Sequence, residues 1–136
     1  MPVLEGGCQC GIIRYEVVDA PLRLVVCHCT DCQRQSSSAF GMTMVVNEED
    51  FRLIKGELKS FTSKSDAGRL KLGAFCPECG TRIYHKSEWR KGTVSVKPGT
   101  LDNTGWLEPQ MHLWTSHKQP WVIIPEGVET YETQPS

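Results

Sequence analysis

The stretch Cys76-Pro77-Glu78-Cys79-Gly80 has the spacing of a metal-binding turn, and the fold is interpreted outward from it. Two thiolates three residues apart can bind one ion if the turn between them is tight. The proline presets the turn, and the glycine permits the backbone conformation that points amides at the sulfurs. Structural zinc almost always has four ligands, so this stretch predicts half of a zinc site and requires a second pair of cysteines.

Cys8-Gln9-Cys10, near the start of the chain, is the predicted second pair. Residues two apart point to the same face of an extended strand, so both sulfurs can meet one ion. Closing the long loop from Cys10 to Cys76 costs about 4 kcal/mol plus a constant in chain entropy. A structural zinc site contributes about 10–16 kcal/mol. The four cysteines therefore predict a zinc ion that ties the N-terminal strand to the second half of the chain.

Three further cysteines occupy the segment Cys27-His28-Cys29-Thr30-Asp31-Cys32. Three protein ligands with an open fourth position are typical of a catalytic zinc, and a sulfur-rich open centre favours a substrate thiolate as fourth ligand. Thr30, with Gln33 three residues later, fits a capping box and predicts a short helix from Asp31 to Ser37. An extended loop is the alternative, because the run of serines favours neither form. In the helix, Cys32 would lie in the first turn, where unpaired amides stabilise a thiolate.

Short apolar segments rich in β-branched residues follow one another closely, with turn residues between them. This pattern predicts an all-β domain rather than alternating strands and helices. We expect one domain over residues 1–136, with an acidic and polar tail that frays after about residue 126. The predicted strands cover residues 12–18, 22–26, 40–46, 51–54, 58–62, 69–75, 81–85, 93–97, 112–114 and 121–124, and Ser65-Asp66-Ala67-Gly68 is a predicted turn.

Composition narrows the functional class. The 136 residues include 15 Lys and Arg, 16 Asp and Glu, and seven Cys, with a formal net charge of −1. This balance argues against binding nucleic acid by bulk charge, and no apolar run approaches the roughly 18 residues of a membrane span. The first residues lack the basic and apolar regions of a signal peptide. Because thiols at this density favour metal ligands in a reducing compartment, we expect a cytoplasmic metal-binding protein.

The metal ions would change the charge balance. Seven thiolates and two Zn²⁺ add three negative charges to the formal net charge of −1. An anionic substrate would therefore need a local cationic group. The candidates are Arg34, Lys64, Arg69, Lys71 and Arg90, and the sequence does not rank them.

The cysteine clusters, in this order, resemble the glutathione-dependent formaldehyde-activating enzymes (GFA family) and their relatives, which include centromere protein V. The similarity covers nearly the whole chain. It is carried by Gly7-Cys8-Gln9-Cys10-Gly11 with Arg14-Tyr15, Cys27-His28-Cys29-Thr30-Asp31-Cys32, Phe75-Cys76-Pro77-Glu78-Cys79-Gly80, and a C-terminal stretch from His112-Leu113-Trp114 through Ser116 to Pro120-Trp121 and Pro125-Glu126-Gly127.

The resemblance implies a single zinc-stapled β-tent domain of short antiparallel strands, with a short helix after the middle cluster. It implies two zinc ions per chain. The implied ligands are Cys8, Cys10, Cys76 and Cys79 for the structural zinc, and Cys27, Cys29 and Cys32 for the catalytic zinc. The family's named activity is the condensation of glutathione with formaldehyde to S-hydroxymethylglutathione, classed as a carbon–sulfur lyase in reverse. The expected partners are a small-molecule thiol and an aldehyde, with glutathione as co-substrate.

Two other functional classes stay open. A non-catalytic interaction module, with both zinc ions structural, is the alternative to an enzyme. A thiol redox enzyme, such as a methionine sulfoxide reductase on a related zinc-bearing β scaffold, needs a reactive cysteine outside the metal sites. Since all seven cysteines belong to the clusters, this class ranks last.

Residues outside the clusters receive simpler interpretations. His28 is expected to face solvent rather than to support a metal ligand. The other histidines, expected to be packed or exposed rather than metal-bound, are His85, His112 and His117. The predicted substrate-binding residues are Arg34, Phe40 and Trp114.

Overall fold

A computed structural model describes residues 3–64 and 68–134 of the chain. It confirms a mainly β fold with one short α-helix, which begins within the middle cysteine cluster. The elements are β1 (Leu4–Gly7), β2 (Arg14–Val17), β3 (Arg23–Cys27), α1 (Thr30–Ser36), β4 (Gly41–Asn47), β5 (Phe51–Lys55), β6 (Lys59–Lys64), β7 (Leu70–Phe75), β8 (Arg82–Ser87), β9 (Thr93–Val96), β10 (Met111–Leu113) and β11 (Glu129–Thr130). Within these ranges, no helical segment has the length and apolar character that crossing a bilayer demands.

The strands form two sheets. One has three strands in the order β1-β2-β5, and the other has eight in the order β11-β10-β3-β4-β9-β8-β7-β6. Neighbouring strands are antiparallel, as short strands joined by tight turns allow, except that β10 runs parallel to β3 and to β11. In the β3–β10 pair, Leu113 lies opposite Cys27. This pairing brings the C-terminal part of the chain next to the middle cysteine cluster.

The main core combines buried residues from both sheets. On β2, Tyr15 and Val17 are buried while Arg14 and Glu16 are only half-buried. Val94 and Val96 alternate in the same way on β9, as the two-residue period of a strand requires. The Tyr15 hydroxyl lies 2.6 Å from Thr100 Oγ1, so its polar atom is satisfied inside the core.

The C-terminal region differs from the sequence prediction. The strand predicted over residues 121–124 is wrong: these residues form no strand, and Trp121 and Ile123 are 69% and 88% exposed. Part of the tail, Glu129–Thr130, forms β11 beside β10, and the Tyr131 N–H donates to the His112 carbonyl at 2.9 Å. The fraying of the tail stays a prediction. Residues 65–67 of the predicted turn lie outside the described residues.

Helix α1 begins one residue earlier than predicted, and its cap is different. Cys29, not Thr30, is the N-cap residue, and its Sγ accepts a hydrogen bond from the Cys32 N–H at 3.2 Å. The expected capping box does not form, because the side-chain amide of Gln33 instead donates to the His28 carbonyl at 2.8 Å. A cysteine sulfur therefore satisfies the helix amide that the threonine was expected to satisfy.

Gly6 on β1 has no room for a side chain. A Cβ at this position would lie 2.5 Å from the Thr100 carbonyl oxygen and 2.6 Å from the Tyr15 hydroxyl. We expect Gly6→Ala to lower the free energy of unfolding by about 1–3 kcal/mol, the usual effect of overpacking a well-packed site. Urea unfolding followed by circular dichroism measures the change.

Gly105→Ala is the matched control. A Cβ at Gly105 would meet only Asn103 Oδ1, at 3.7 Å, so its free energy of unfolding should change by less than about 0.5 kcal/mol. Equal losses in the two variants would show that the contact around Gly6 is not what restricts this position.

Candidate metal centres

The cysteines of the N-terminal motif and of the Cys76–Cys79 motif lie close together in a group that we call the four-sulfur cluster. Its members are Cys8, Cys10, Cys76 and Cys79, and their Sγ atoms all lie within 4.8 Å of one another. Two of the separations are 3.6 Å, between Cys8 and Cys10, and 3.8 Å, between Cys10 and Cys76. Four sulfurs at about 2.3 Å from one zinc ion would lie about 3.8 Å apart. The group therefore fits a tetrahedral ion.

Backbone amides position a sulfur in each of the two turns. The Ile13 N–H donates to Cys8 Sγ at 3.3 Å. The Cys79 N–H donates to Cys76 Sγ at 3.4 Å. Such bonds hold a sulfur in place and favour its ionised form, the form that binds metal. In both turns a backbone N–H thus donates to a cysteine sulfur, although the cysteines are spaced differently.

A glycine with positive φ completes each turn: φ is 86° at Gly11 and 80° at Gly80, values that other residues adopt only with strain. The expectation that Cys8 and Cys10 share one face of a strand is wrong. Strand β1 ends at Gly7, and both cysteines lie in the turn that leads to β2. The turn, not the pleat of a strand, brings their sulfurs together.

Hydrogen bonds favour the thiolate form of Cys8 and Cys79 in the four-sulfur cluster. The side chain and backbone of Thr81 lower the pKa of Cys79 to about 5. Burial raises the pKa of Cys8, but hydrogen bonds from the Ile13 backbone and from neighbouring thiols outweigh it, so the net shift is downward. For Cys10, a backbone hydrogen bond lowers the pKa, but burial and the neighbouring thiols raise it further, to about 12. A bound cation would therefore be needed for all four sulfurs to ionise together.

The remaining cysteines, Cys27, Cys29 and Cys32, form a second group, the three-sulfur cluster. Their Sγ atoms also lie within 4.8 Å of one another. Cys27 ends β3, Cys29 caps α1, and Cys32 lies in the first turn of that helix. A strand end and a helix start therefore fix all three sulfurs. Among the residues that the structure describes, no fourth Cys, His, Asp or Glu joins this group.

The three thiols cannot all ionise without a cation. Hydrogen bonds from Cys27 and Cys32 lower the pKa of Cys29 to about 2, and the contact with Cys29 raises the pKa of Cys27. For Cys32, the hydrogen bond with Cys27 lowers the pKa, but the Cys29 thiolate and burial raise it further, to about 11. Without a metal, the Cys29 thiolate thus accepts hydrogen bonds from the protonated thiols of Cys27 and Cys32. A soft divalent cation would allow all three to ionise, so this donor set fits a metal such as zinc.

A buried histidine pair supports the loop between the first two sulfurs of this cluster. His28 has no solvent exposure, and its Nε2 lies 2.9 Å from His112 Nδ1. The expectation that His28 faces solvent is wrong, because the parallel pairing of β10 with β3 covers it. Burial lowers the pKa of both histidines. With the bond from the His28 N–H to the Leu113 carbonyl, 2.9 Å long, the pair fixes the loop.

Cationic side chains from three strands and the helix line one cavity of about 420 Å³, which we call the basic cavity. Its cations are Arg34, Lys64, Lys71 and Arg82. Three of them belong to the five candidate cationic groups of the sequence, and Arg82 was not among those candidates. The other two candidates, Arg69 and Arg90, are not among the described residues that line this cavity. The sheet order β8-β7-β6 places these segments side by side.

A second cavity, also of about 420 Å³, shares Gln35 and Arg82 with the basic cavity and is lined by Phe40 and Lys97. Burial lowers the pKa of Lys97 to about 8, against the opposing effect of the Cys32 thiol. Of the predicted substrate-binding residues, Arg34 and Phe40 each line a cavity. The third, Trp114, lines neither of these two, and its ring packs against a neighbouring histidine at 5.2 Å.

The fold and the clusters define a class of protein: two β-sheets with two cysteine clusters, each of which could hold a metal ion. The sequence profile of the glutathione-dependent formaldehyde-activating enzyme family matches residues 3–117. The chain therefore belongs to this family, as its motifs predicted.

Among the proteins that resemble the chain are a curated relative and a solved structure. A protein of Halomonas elongata, provisionally named a glutathione-dependent formaldehyde-activating enzyme, is 25% identical over 133 residues, which cover 90% of this chain and 81% of the relative. A crystal structure of a Rhodobacter sphaeroides protein matches with a TM-score of 0.60 and 19% identity, over 75% of this chain and 91% of that one. The second similarity shows a shared fold.

Acid should destabilise the protein in part through His85, which is 4% exposed on β8. Burial, with the nearby charges of Lys97 and Lys71, lowers the pKa of His85 to about 2, whereas an unfolded histidine titrates near 6.5. Below about pH 6.5, only the unfolded chain gains this proton. The contribution of His85 to the free energy of unfolding is therefore present above about pH 6.5, and below it falls by up to about 1.4 kcal/mol per pH unit.

We therefore expect His85→Gln to lose less stability in acid than the wild type. From about pH 6.5 to about pH 4.5, the wild type should lose about 2.3 kcal/mol more than this variant, because the unfolded histidine is half protonated at the first pH and fully protonated at the second. Urea unfolding at several pH values measures the difference. The exposed residue His117 provides the control: His117→Gln should follow the wild type. Parallel curves for all three proteins would contradict the assignment of this acid sensitivity to His85.

Proposed function

We propose that this protein is a zinc enzyme that condenses a thiol with an aldehyde, and that glutathione and formaldehyde are its substrates. The observation that carries the proposal is the three-sulfur cluster, which has no fourth Cys, His, Asp or Glu ligand in the described part of the chain. Membership of the family supports the choice of substrates. The reaction forms one S–C bond, turns the carbonyl into a hydroxyl and moves the thiol proton to that oxygen, so it needs no redox cofactor.

Zinc is the metal that we assign to both clusters, because thiolate ligands in a tetrahedral arrangement favour it. The four-sulfur cluster would hold a structural ion, and Cys27, Cys29 and Cys32 would hold a catalytic one. When bound at the three-sulfur cluster, zinc supplies a Lewis-acidic position that favours the thiolate form of a substrate thiol at neutral pH.

The protein's own side chains would accommodate the charge of that substrate. Three thiolates around a divalent ion leave one negative charge, and a substrate thiolate adds another. Lys71 acts electrostatically on Cys29 and Cys32, and Lys97 on Cys32 and Cys27. These two ammonium groups would offset the added negative charge in a partly buried site, where it is poorly screened.

The enzyme class and the cellular compartment that we propose follow from the same thiol chemistry. The reverse reaction breaks a carbon–sulfur bond, so we place the protein in the carbon–sulfur lyase class. All seven cysteines are free thiols, and free thiols at this density suit a reducing compartment such as the cytoplasm. We treat residues 1–136 as one domain, because the four-sulfur cluster joins Cys8 and Cys10, near the start of the chain, to Cys76 and Cys79 in its second half.

Metal content tests the division between the two clusters. We expect two zinc ions per chain, one of which a chelator removes readily. Cys29→Ser should keep the fold, because serine is itself a good N-cap residue, and should lose the labile ion. Cys79→Ser should unfold, because it opens the structural site. Mass spectrometry of the native protein and circular dichroism measure both effects; unfolding of Cys29→Ser to the same extent would contradict the proposed division.

The rate of adduct formation tests the activity. Glutathione and formaldehyde also combine without a catalyst, so the comparison is between rates of exchange with and without protein, measured by NMR with labelled formaldehyde. The wild type should accelerate the exchange, and Cys29→Ser should not. A wild type that holds two zinc ions and gives the same rate as Cys29→Ser would favour the non-catalytic interaction module instead.

A further inference from the structure

The basic cavity opens beside the three-sulfur cluster. Gln35 lines the cavity, and its side-chain amide lies 3.9 Å from Cys32 Sγ. Asp31 and Arg34, which flank Cys32 on α1, line the same wall. A substrate whose sulfur reaches the cluster can therefore extend its other groups into the basic cavity.

Arg82 is held in the cavity wall by its neighbours on the sheet. Its Nη1 lies 3.1 Å from Nε2 of His85, which is 4% exposed. Because His85 is neutral, its Nε2 can accept the hydrogen bond from the guanidinium. Gly73 on β7 leaves the space that the guanidinium fills, since a Cβ there would overlap Arg82 Nη1. A preorganised guanidinium of this kind suits the recognition of a carboxylate.

The cavity carries an excess of positive charge. Its four cations face Asp31, the one acidic residue among the described residues of the wall. The ion pairs found within residues 3–64 and 68–134 involve none of the four. A concave wall lined with unpaired cations concentrates an anion. The single negative charge of a zinc-loaded three-sulfur cluster is smaller than this excess, so positive charge is left for a ligand.

We propose that the basic cavity binds the carboxylate groups of the thiol substrate, and that Arg82 and Lys71 determine the specificity for carboxylated thiols over neutral ones. Glutathione, with two carboxylates, fits this class, and the cavity volume of about 420 Å³ lies in the range of small-molecule sites. The inference rests on the proposed function for the identity of the thiol. His85 acts as a positioning residue, because it holds Arg82.

The test uses S-methylglutathione, which keeps both carboxylates but has no thiol to react or to bind metal. Isothermal titration calorimetry on the zinc-loaded protein should show binding, and added sodium chloride should weaken it. Arg82→Gln and Lys71→Gln should each weaken it by about tenfold or more, the effect of losing one hydrogen bond to a charged group. Lys59→Gln is the matched control: Lys59 lies on β6, is exposed and is outside the cavity wall, so its variant should bind as the wild type does.

A kinetic measurement supplies a second readout. The ratio of kcat/KM for glutathione to kcat/KM for 2-mercaptoethanol, each with formaldehyde, should fall about tenfold in Arg82→Gln and Lys71→Gln, mainly through the KM for glutathione. His85→Leu should lower the ratio as well, whereas His85→Gln, which keeps an acceptor for Arg82, should retain more of it. Zinc content and melting temperature show whether each variant is folded.

The outcomes separate this proposal from the proposed function. Weaker binding of S-methylglutathione by the two variants, without turnover by the wild type, would support the carboxylate site and reject the activity. Turnover by the wild type with equal kcat/KM for the two thiols, or equal binding by all the variants, would overturn the carboxylate site and leave the activity standing. Absence of both binding and turnover in the zinc-loaded wild type would reject both.

Discussion

The four-sulfur cluster is the contact on which the arrangement of the two sheets depends. The Cys8–Cys10 pair follows β1 of the three-stranded sheet, and the Cys76–Cys79 pair follows β7 of the eight-stranded sheet. The Arg14–Asp102 ion pair also links β2 to the segment after β9, but both side chains are largely exposed, and such pairs contribute about 0–1 kcal/mol. A structural zinc ion contributes on the order of 10 kcal/mol. A metal ion bound between the two turns, together with the core that both sheets share, can therefore hold the sheets together far more strongly than this surface ion pair.

The three-sulfur cluster depends on a different constraint, the junction between β3 and α1. Cys29 has two roles there, because its sulfur caps the helix through the Cys32 N–H and also belongs to the cluster. The loop is supported from behind by the pair of His28 and His112 and by the Gln33 amide. Secondary structure and tertiary packing thus fix the three sulfurs independently of any metal. A site built in this way can keep its geometry while a ligand enters and leaves.

Local spacing predicts both clusters, because a cysteine turn is determined by residues close in sequence. Local spacing does not predict features that depend on segments far apart in the sequence. The burial of His28 follows from the parallel pairing of β3 with β10, and the importance of Arg82 follows from the meeting of β6, β7, β8 and α1 around one cavity. The cap was mispredicted because Thr30 satisfies a motif that a cysteine sulfur fulfils one residue earlier. The apolar run 121–124 resembles a strand, but strand formation also requires an available partner edge.

The surroundings of the two clusters differ in a way that suits different tasks. Around the four-sulfur cluster, neutral donors lower two of the thiol pKa values: the Ile13 amide lowers that of Cys8 against burial, and the Thr81 side chain and backbone lower that of Cys79. Such donors stabilise thiolates without attracting a mobile anion. The three-sulfur cluster instead has Lys71 and Lys97 beside it, whose charges act over several ångströms. A closed structural site needs only the first arrangement, whereas a site that must receive an anionic substrate benefits from the second. The distribution of cations, which spacing alone does not reveal, therefore supports the proposal that the three-sulfur cluster, rather than the four-sulfur cluster, is the reaction site.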